Sequence, residues 1–154
     1  MTIETQSKET ALDHLLQDIP RQIESLRSVR ETFLTDAVLL GEVPAPTFSE
    51  DKRIRLVMDR FRENGLKDPA LDDYGNASGI IPGSTGNSAI LVMAHVDCVF
   101  SAETRHVLEV GSDHITGPGI ADNSIGLAAV VALPKLLDHL GIQLKDDLIL
   151  LANV

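Results

Sequence analysis

Apolar residues in the first third of the chain recur every three or four positions, the spacing of one helical face. In "ETALDHLLQDI" they are Leu12, Leu15, Leu16 and Ile19, and from Arg21 onward Ile23, Leu26, Val29, Phe33 and Ala37. Asp18 and Pro20 between the two sets predict a stop and a restart, because proline suits the first turn of a new helix. "GEVPAPTFSED" ends the second helix with Gly41, Pro44 and Pro46, and Thr47 with Glu50 forms a capping-box pattern for the next. That third helix turns Ile54, Val57, Met58 and Phe61 inward and stops at Gly65.

Beyond residue 70 the period changes. A short strand is predicted over Ala77 to Ile81 between turn residues, and "SAILVMAH" is a continuous apolar run of strand length, the pattern of a strand covered on both faces. "HVLEVGSDHITGPG" reads as a hairpin turning at Gly111, Ser112 and Asp113. "ADNSIGLAAVVALPKLLDHLG" reads as a helix from about Asn123 or Ser124 to Gly141, with a kink or break at Pro134, and "DDLILLANV" as a further buried strand. Strand, helix, strand in this order implies a right-handed parallel crossover. The predicted class is α/β, a three-layer arrangement with helices on both faces of a mixed sheet. Ligand sites in such sheets lie at the carboxyl ends of strands, where His95 falls.

Composition narrows the function classes. The 154 residues suffice for one domain with one core. A formal net charge of −10 argues against a nucleic-acid surface, which needs clustered Lys and Arg. No apolar run approaches the length expected of a membrane span, and the N-terminus lacks the basic and apolar regions of a secretory signal. The single Cys98 excludes an internal disulfide and fits the cytoplasm. Aromatics are only 3%, so the core must be built from Leu, Ile, Val and Ala.

Two segments carry candidate chemistry. In "LVMAHVDCVF", His95 and Asp97 are two apart at a strand end and can project to the same side. Such a pair serves as a metal ligand with its orienting carboxylate, as a general-base pair, or as an ordinary hydrogen-bonded histidine. In "GPGIADNSIG", Asp122 stands beside an expected helix start, where an N-cap and a metal ligand are both open readings. The glycine spacing fits neither dinucleotide-binding nor Walker patterns.

Taken together, "AHVDCVF", a short hairpin and "GPGIADNSIGLAAVVAL" closely resemble the di-zinc metallopeptidases of the peptidase T, carboxypeptidase G and acetylornithine deacetylase family. The upstream "VPAPTFSED", "GL" and "DDYGNASGIIPG" resemble that family's lead-in to its first strands. The resemblance spans roughly residues 36 to 154, the N-terminal part of a zinc-exopeptidase-like catalytic domain, and leaves residues 1 to 35 as an N-terminal helical extension. It implies that His95 binds one zinc, that Asp97 is the catalytic-site residue orienting His95, and that Asp122 bridges two metals while Asn123 helps hold the loop backbone. It implies hydrolysis of a peptide or acyl-amino-acid amide bond by a water activated between two zinc ions, with cobalt or manganese as substitutes.

The sequence departs from the family pattern at Cys98, where the family often has Thr, and at its end. In the family, the strand equivalent to "DLILLANV" runs into a Gly-Glu-Glu segment carrying the general base and a ligand, and a later acid and histidine complete the site. This sequence reaches Val154 without them. The expectation is therefore a truncated catalytic domain without activity of its own, the alternatives being an inactive binding or assembly module and a gene fragment. Self-association through an exposed C-terminal strand is expected. A hydrolase using Cys98 with His95 is disfavoured, since residues three apart on a strand face opposite ways. His14 and His139 are read as solvated, and His106 and His114 as structural or surface residues flanking the hairpin.

Overall fold

The computed structural model describes residues 3–154, with side chains from Leu16 onward except at positions 17, 18, 21, 22, 25 and 28. The inward faces expected for Leu12 and Leu15, and the solvated His14, lie outside the described side chains. One helix, α1, runs unbroken over Ile3–Gly41 with Pro20 inside it, so the expected stop and restart does not occur. Proline removes one N–H and its intrahelical bond, a local cost that the residues on either side carry without ending the helix. Among the described side chains, the apolar stripe buries itself toward the end of α1. Leu16 and Ile23 are more than half exposed, Phe33 is partly buried, and Ala37 and Leu40 are fully buried.

Helix α2 (Asp51–Glu63) places Ile54, Val57, Met58 and Phe61 in the core, as their spacing requires. Burying Val57 and Phe61 completely stabilises the fold by roughly 1.5–3 kcal/mol each relative to exposure. Gly65 follows α2 with a φ of 72°, the left-handed conformation that ends a helix. Next come β1 (Lys67–Leu71), β2 (Ala77–Ile81), β3 (Ala89–His95), the hairpin pair β4 (Glu109–Val110) and β5 (Ile115–Thr116), helix α3 (Ile125–His139) and β6 (Asp147–Asn153). The sequence pattern did not reveal β1, which contains Pro69. It lies at the sheet edge, where a missing N–H is tolerated. Helix α3 passes through Pro134 without the expected break.

The main sheet has the order β1-β2-β6-β3. β1 and β2 are antiparallel, as are β2 and β6, while β3 and β6 are parallel, in register from Ala89 with Asp147 to His95 with Asn153. The sheet is mixed and the class α/β. Helices α2 and α3 pack on one face, where Leu148, Leu150 and Ala152 of β6 meet Phe61, Leu127 and Val131. The opposite face, which carries Leu91 and Met93, has no described helix over it, and both residues are 53% exposed. The C-terminal strand β6 is paired on both sides, so the free edge expected there belongs to β3 instead. The apolar run 88–95 is accordingly an edge strand, not one covered on both faces.

By length and composition Ile120–His139 would suffice to cross a membrane, contrary to the reading of the sequence. Within the fold its apolar residues Leu127, Ala128, Val130, Val131 and Ala132 form core against α1 and the sheet.

Candidate metal centre

His95 is the last residue of β3, and the chain leaves the sheet there under close restraint. The Val96 amide donates to the Asn153 carbonyl at 2.8 Å, extending the β3–β6 ladder by one bond. The Cys98 amide donates to Ala45 O at 2.8 Å, and Pro46 pairs with Cys98 as an isolated parallel bridge. From below, the buried Arg53 guanidinium donates to Val96 O at 2.8 Å and to Val43 O at 2.9 and 2.6 Å. Burial lowers the pKa of Arg53, and nearby Cys98 and Asp97 oppose that shift.

The second loop is a π-helical turn, Ile120–Ser124, between the hairpin and α3. Asp122 and Asn123 within it have non-helical backbone angles, and the peptide joining them is cis. Gly119 has a φ of 72°, and a Cβ there would come within 3.2 Å of the Cys98 Cβ, so glycine lets the second loop lie directly on the first. Cys98 is buried at this contact as a small packing residue, its Sγ 3.7 Å from Phe100 O. A Cβ on Gly126 would collide with the side-chain amide of Asn123, which occupies that space. Asn123 thus holds the loop by folding back onto α3.

The two loops bring together the three residues singled out from the sequence. His95 Nδ1 is 3.0 Å from Asp97 Oδ1, and His95 Nε2 is 3.0 Å from Asp122 Oδ1. A carboxylate only accepts hydrogen bonds, and both ring nitrogens face one, with the Asp97 carbonyl oxygen also 3.2 Å from Nδ1. The arrangement is satisfied by a proton on each nitrogen, or by a proton on Nδ1 and a cation between Nε2 and Asp122. Two ligands held at ~2.0–2.1 Å from one tetrahedral zinc are themselves about 3.3–3.4 Å apart, so the observed 3.0 Å is a hydrogen-bonding distance that would open by a few tenths of an ångström to admit a shared ion. Asp122 is exposed and His95 half-buried, which leaves the site open to solvent. Among the described residues, no group of three or more His, Cys, Asp and Glu is placed to hold a metal ion.

Sequence reasoning missed Thr47. Its hydroxyl donates to Asp97 Oδ2 at 2.7 Å. The expected capping box does not form: the N-cap of α2 is Glu50, with no side-chain cap bond, and Glu50 Oε1 accepts from the Phe48 amide instead. The Thr47 hydroxyl, opposed by burial and aided by His95, holds the Asp97 carboxyl below its ordinary pKa. Arg53 and the two close-approach glycines were also missed; an arginine inside an otherwise apolar helical face was the available signal for Arg53. Of the other histidines with described side chains, His106, His114 and His139, none joins the centre. His106 is buried with Nε2 3.0 Å from Ser101 O, His114 pairs with Asp113 at the exposed hairpin tip, and His139 is exposed on α3.

The sequence profile described as peptidase family M28 matches residues 76–154, from β2 through both loops of the site to the last strand. The chain belongs to peptidase family M28. Solved structures share its fold. Aminopeptidase PepT from Bacillus cereus is 18% identical with a TM-score of 0.67, covering 79% of this chain and 35% of that one. The di-peptidase Dug1p from Saccharomyces cerevisiae is 12% identical with a TM-score of 0.75, covering 86% and 33%. A dinuclear metal-binding M20-family peptidase from Bacillus subtilis is 14% identical with a TM-score of 0.58, covering 82% and 35%. At these identities the likeness is one of fold, and this M28 chain spans about a third of the length of the peptidases it matches.

Proposed function

We propose that these residues form part of the centre of a metal-dependent peptidase or amidohydrolase, with His95 and Asp122 as ligands. The observation that carries the reading is the 3.0 Å approach of His95 Nε2 to Asp122 Oδ1, with Asp97 bound to the other ring nitrogen. A bound divalent ion supplies a water of lowered pKa and polarises the scissile carbonyl. His95 offers one neutral nitrogen, fixed in tautomer by Asp97. Asp122 would bring one oxygen to an ion shared with His95, and among the described residues no bond is seen to its second oxygen, which would suit a bridge between two ions. Zinc is the proposed metal and cobalt or manganese the substitutes.

Both carboxylates near the ring are committed, Asp97 to His95 and Thr47, and Asp122 to the ion. A general base is then required from outside this set, and β6 offers none beyond Asp147, which is occupied by the Gly83 amide at 2.8 Å. The substrate class proposed is a short peptide or acyl-amino acid. The reading rests on the metal centre itself, since the cavity of about 470 Å³ beside Ile120 and Ile125 is lined by the hairpin tip and by none of His95, Asp97 and Asp122. The single free Cys98 supports a cytoplasmic setting.

The test is a chelator-sensitive hydrolysis assay on a panel of dipeptides and acyl-amino acids. It is run on the 154-residue chain and on a protein that continues it through the remaining length typical of its relatives. Metal-dependent turnover is expected only in the longer protein, and Asp122→Ala should abolish it. Turnover by the longer protein that survives both chelation and Asp122→Ala would overturn the proposal.

A further inference from the structure

We propose that the N-terminal part of α1 seats against the same segment of a second copy of this chain, in antiparallel orientation, and so joins two molecules into a dimer. The contact does not depend on metal at His95.

Helices α1 and α3 are antiparallel neighbours. A Cβ on Gly41, at the end of α1, would lie 3.4 Å from Ser124 just before α3, while Val29 and Phe33 share a groove with Leu136 and His139 at the far end of α3. There α3 stops and α1 continues. Residues 3–28 run past that point, an overhang of about 39 Å at ~1.5 Å per residue. Every described side chain from Leu16 to Arg27 is exposed.

The overhang keeps the apolar stripe of the packed part. Leu16, Ile19, Ile23 and Leu26 follow an alternating step of three and four residues, and Phe33, Ala37 and Leu40 continue it where α1 packs on α3. Arg30 stands between the two sets. A helix in water draws most of its stability from packing such a face, and Pro20 weakens this one further. The described residues offer the overhang no surface within its own molecule. A second copy offers an identical stripe, which is the self-complementarity that a two-fold contact needs.

Charge sets the direction. In the sequence, residues 3–18 carry Glu4, Glu9, Asp13 and Asp18 against Lys8, whereas residues 19–31 carry Arg21, Arg27 and Arg30 against Glu24 and Glu31. Antiparallel pairing sets the acidic half of each copy beside the basic half of the other; parallel pairing would set acid on acid. Antiparallel pairing also ends the shared seam where each α3 takes over the stripe, and it leaves the two bodies at opposite ends.

Sedimentation equilibrium of the 154-residue chain over a range of concentrations tests this, with far-UV circular dichroism to confirm that each variant is folded. The wild type should be a reversible dimer. Leu16→Glu with Ile23→Glu alters only side chains that are exposed in the single copy, and should raise the dissociation constant at least ~100-fold. Leu91→Glu, on the bare face of the sheet, should leave it unchanged. Glu9→Lys with Asp13→Lys reduces the net negative charge of each copy, which by itself favours association, yet it should weaken an antiparallel dimer about 3- to 10-fold by setting like charges together. A monomer at every concentration overturns the proposal, as does a dimer that survives Leu16→Glu with Ile23→Glu or is lost in Leu91→Glu. Tighter association in the Glu9→Lys, Asp13→Lys protein overturns the antiparallel arrangement.

Discussion

His95 and Asp122 stand 27 residues apart in the chain and meet at 3.0 Å because glycines let one loop settle on the other. Gly119→Ala places a Cβ at a left-handed φ and against Cys98, so we expect a loss of about 1–3 kcal/mol in chemical unfolding. Gly126→Ala displaces the Asn123 side chain and should cost about 1–3 kcal/mol through overpacking. An unchanged denaturation midpoint in either variant would show that the loops are less tightly joined than described. The residues of the candidate centre were legible in the sequence because His-x-Asp and the glycine-rich Asp-Asn loop are local patterns. Thr47 was not, because Thr-x-x-Glu before a helix is also the signature of a cap, and only the fold brings Asp97 within reach of its hydroxyl.

At the scale of elements, local rules failed where the environment outweighed them. Pro20 and Pro134 each cost one helical bond, and both helices continue through them. β1 escaped notice because its sequence, "KDPAL", suits only an edge. The choice of edge strand followed tertiary pairing: β6 is apolar and last in the sequence yet central, while β3 is equally apolar and lies at the margin. We therefore expect Leu91→Lys and Met93→Lys to change stability by no more than about 0.5 kcal/mol, as at other exposed positions. A large fall in melting temperature would mean that this face is covered. The joint of α1 and α2 gives a pH test. Asp36 is buried and its pKa is raised above 3.8, first by burial, against the pull of Arg60. Arg60 Nε is 3.0 Å away, yet neither it nor Asp36 Oδ2 completes a hydrogen bond. A raised folded-state pKa contributes stability that is fully present below the unfolded value and lost as pH rises through the folded one. The wild type should therefore lose stability relative to Asp36→Asn as pH rises from the ordinary aspartate value of about 3.9 through the raised folded one. A relative gain over that range, in paired urea unfolding curves, would contradict the assignment.

On the scale of the whole molecule, α3 shows how composition misleads when read alone. A run apolar enough for a membrane forms the middle of the core once α1 and the sheet pack on it. The α/β class was legible from the change of period after residue 70, but the bare face of the sheet was not, since exposure depends on what else packs there. Membership of the M28 family and the meeting of His95, Asp97 and Asp122 lead to one central claim: His95 and Asp122 share a metal ion. The most direct test is a titration of the 154-residue chain with Mn²⁺, following paramagnetic relaxation of its NMR signals. Binding should be weak, because two protein ligands are fewer than the three or four of a complete zinc site. The enhancement should nevertheless centre on His95 and the 119–124 loop, and both His95→Ala and Asp122→Ala should remove it. Relaxation spread over the acidic surface and unchanged in those two variants would contradict the account.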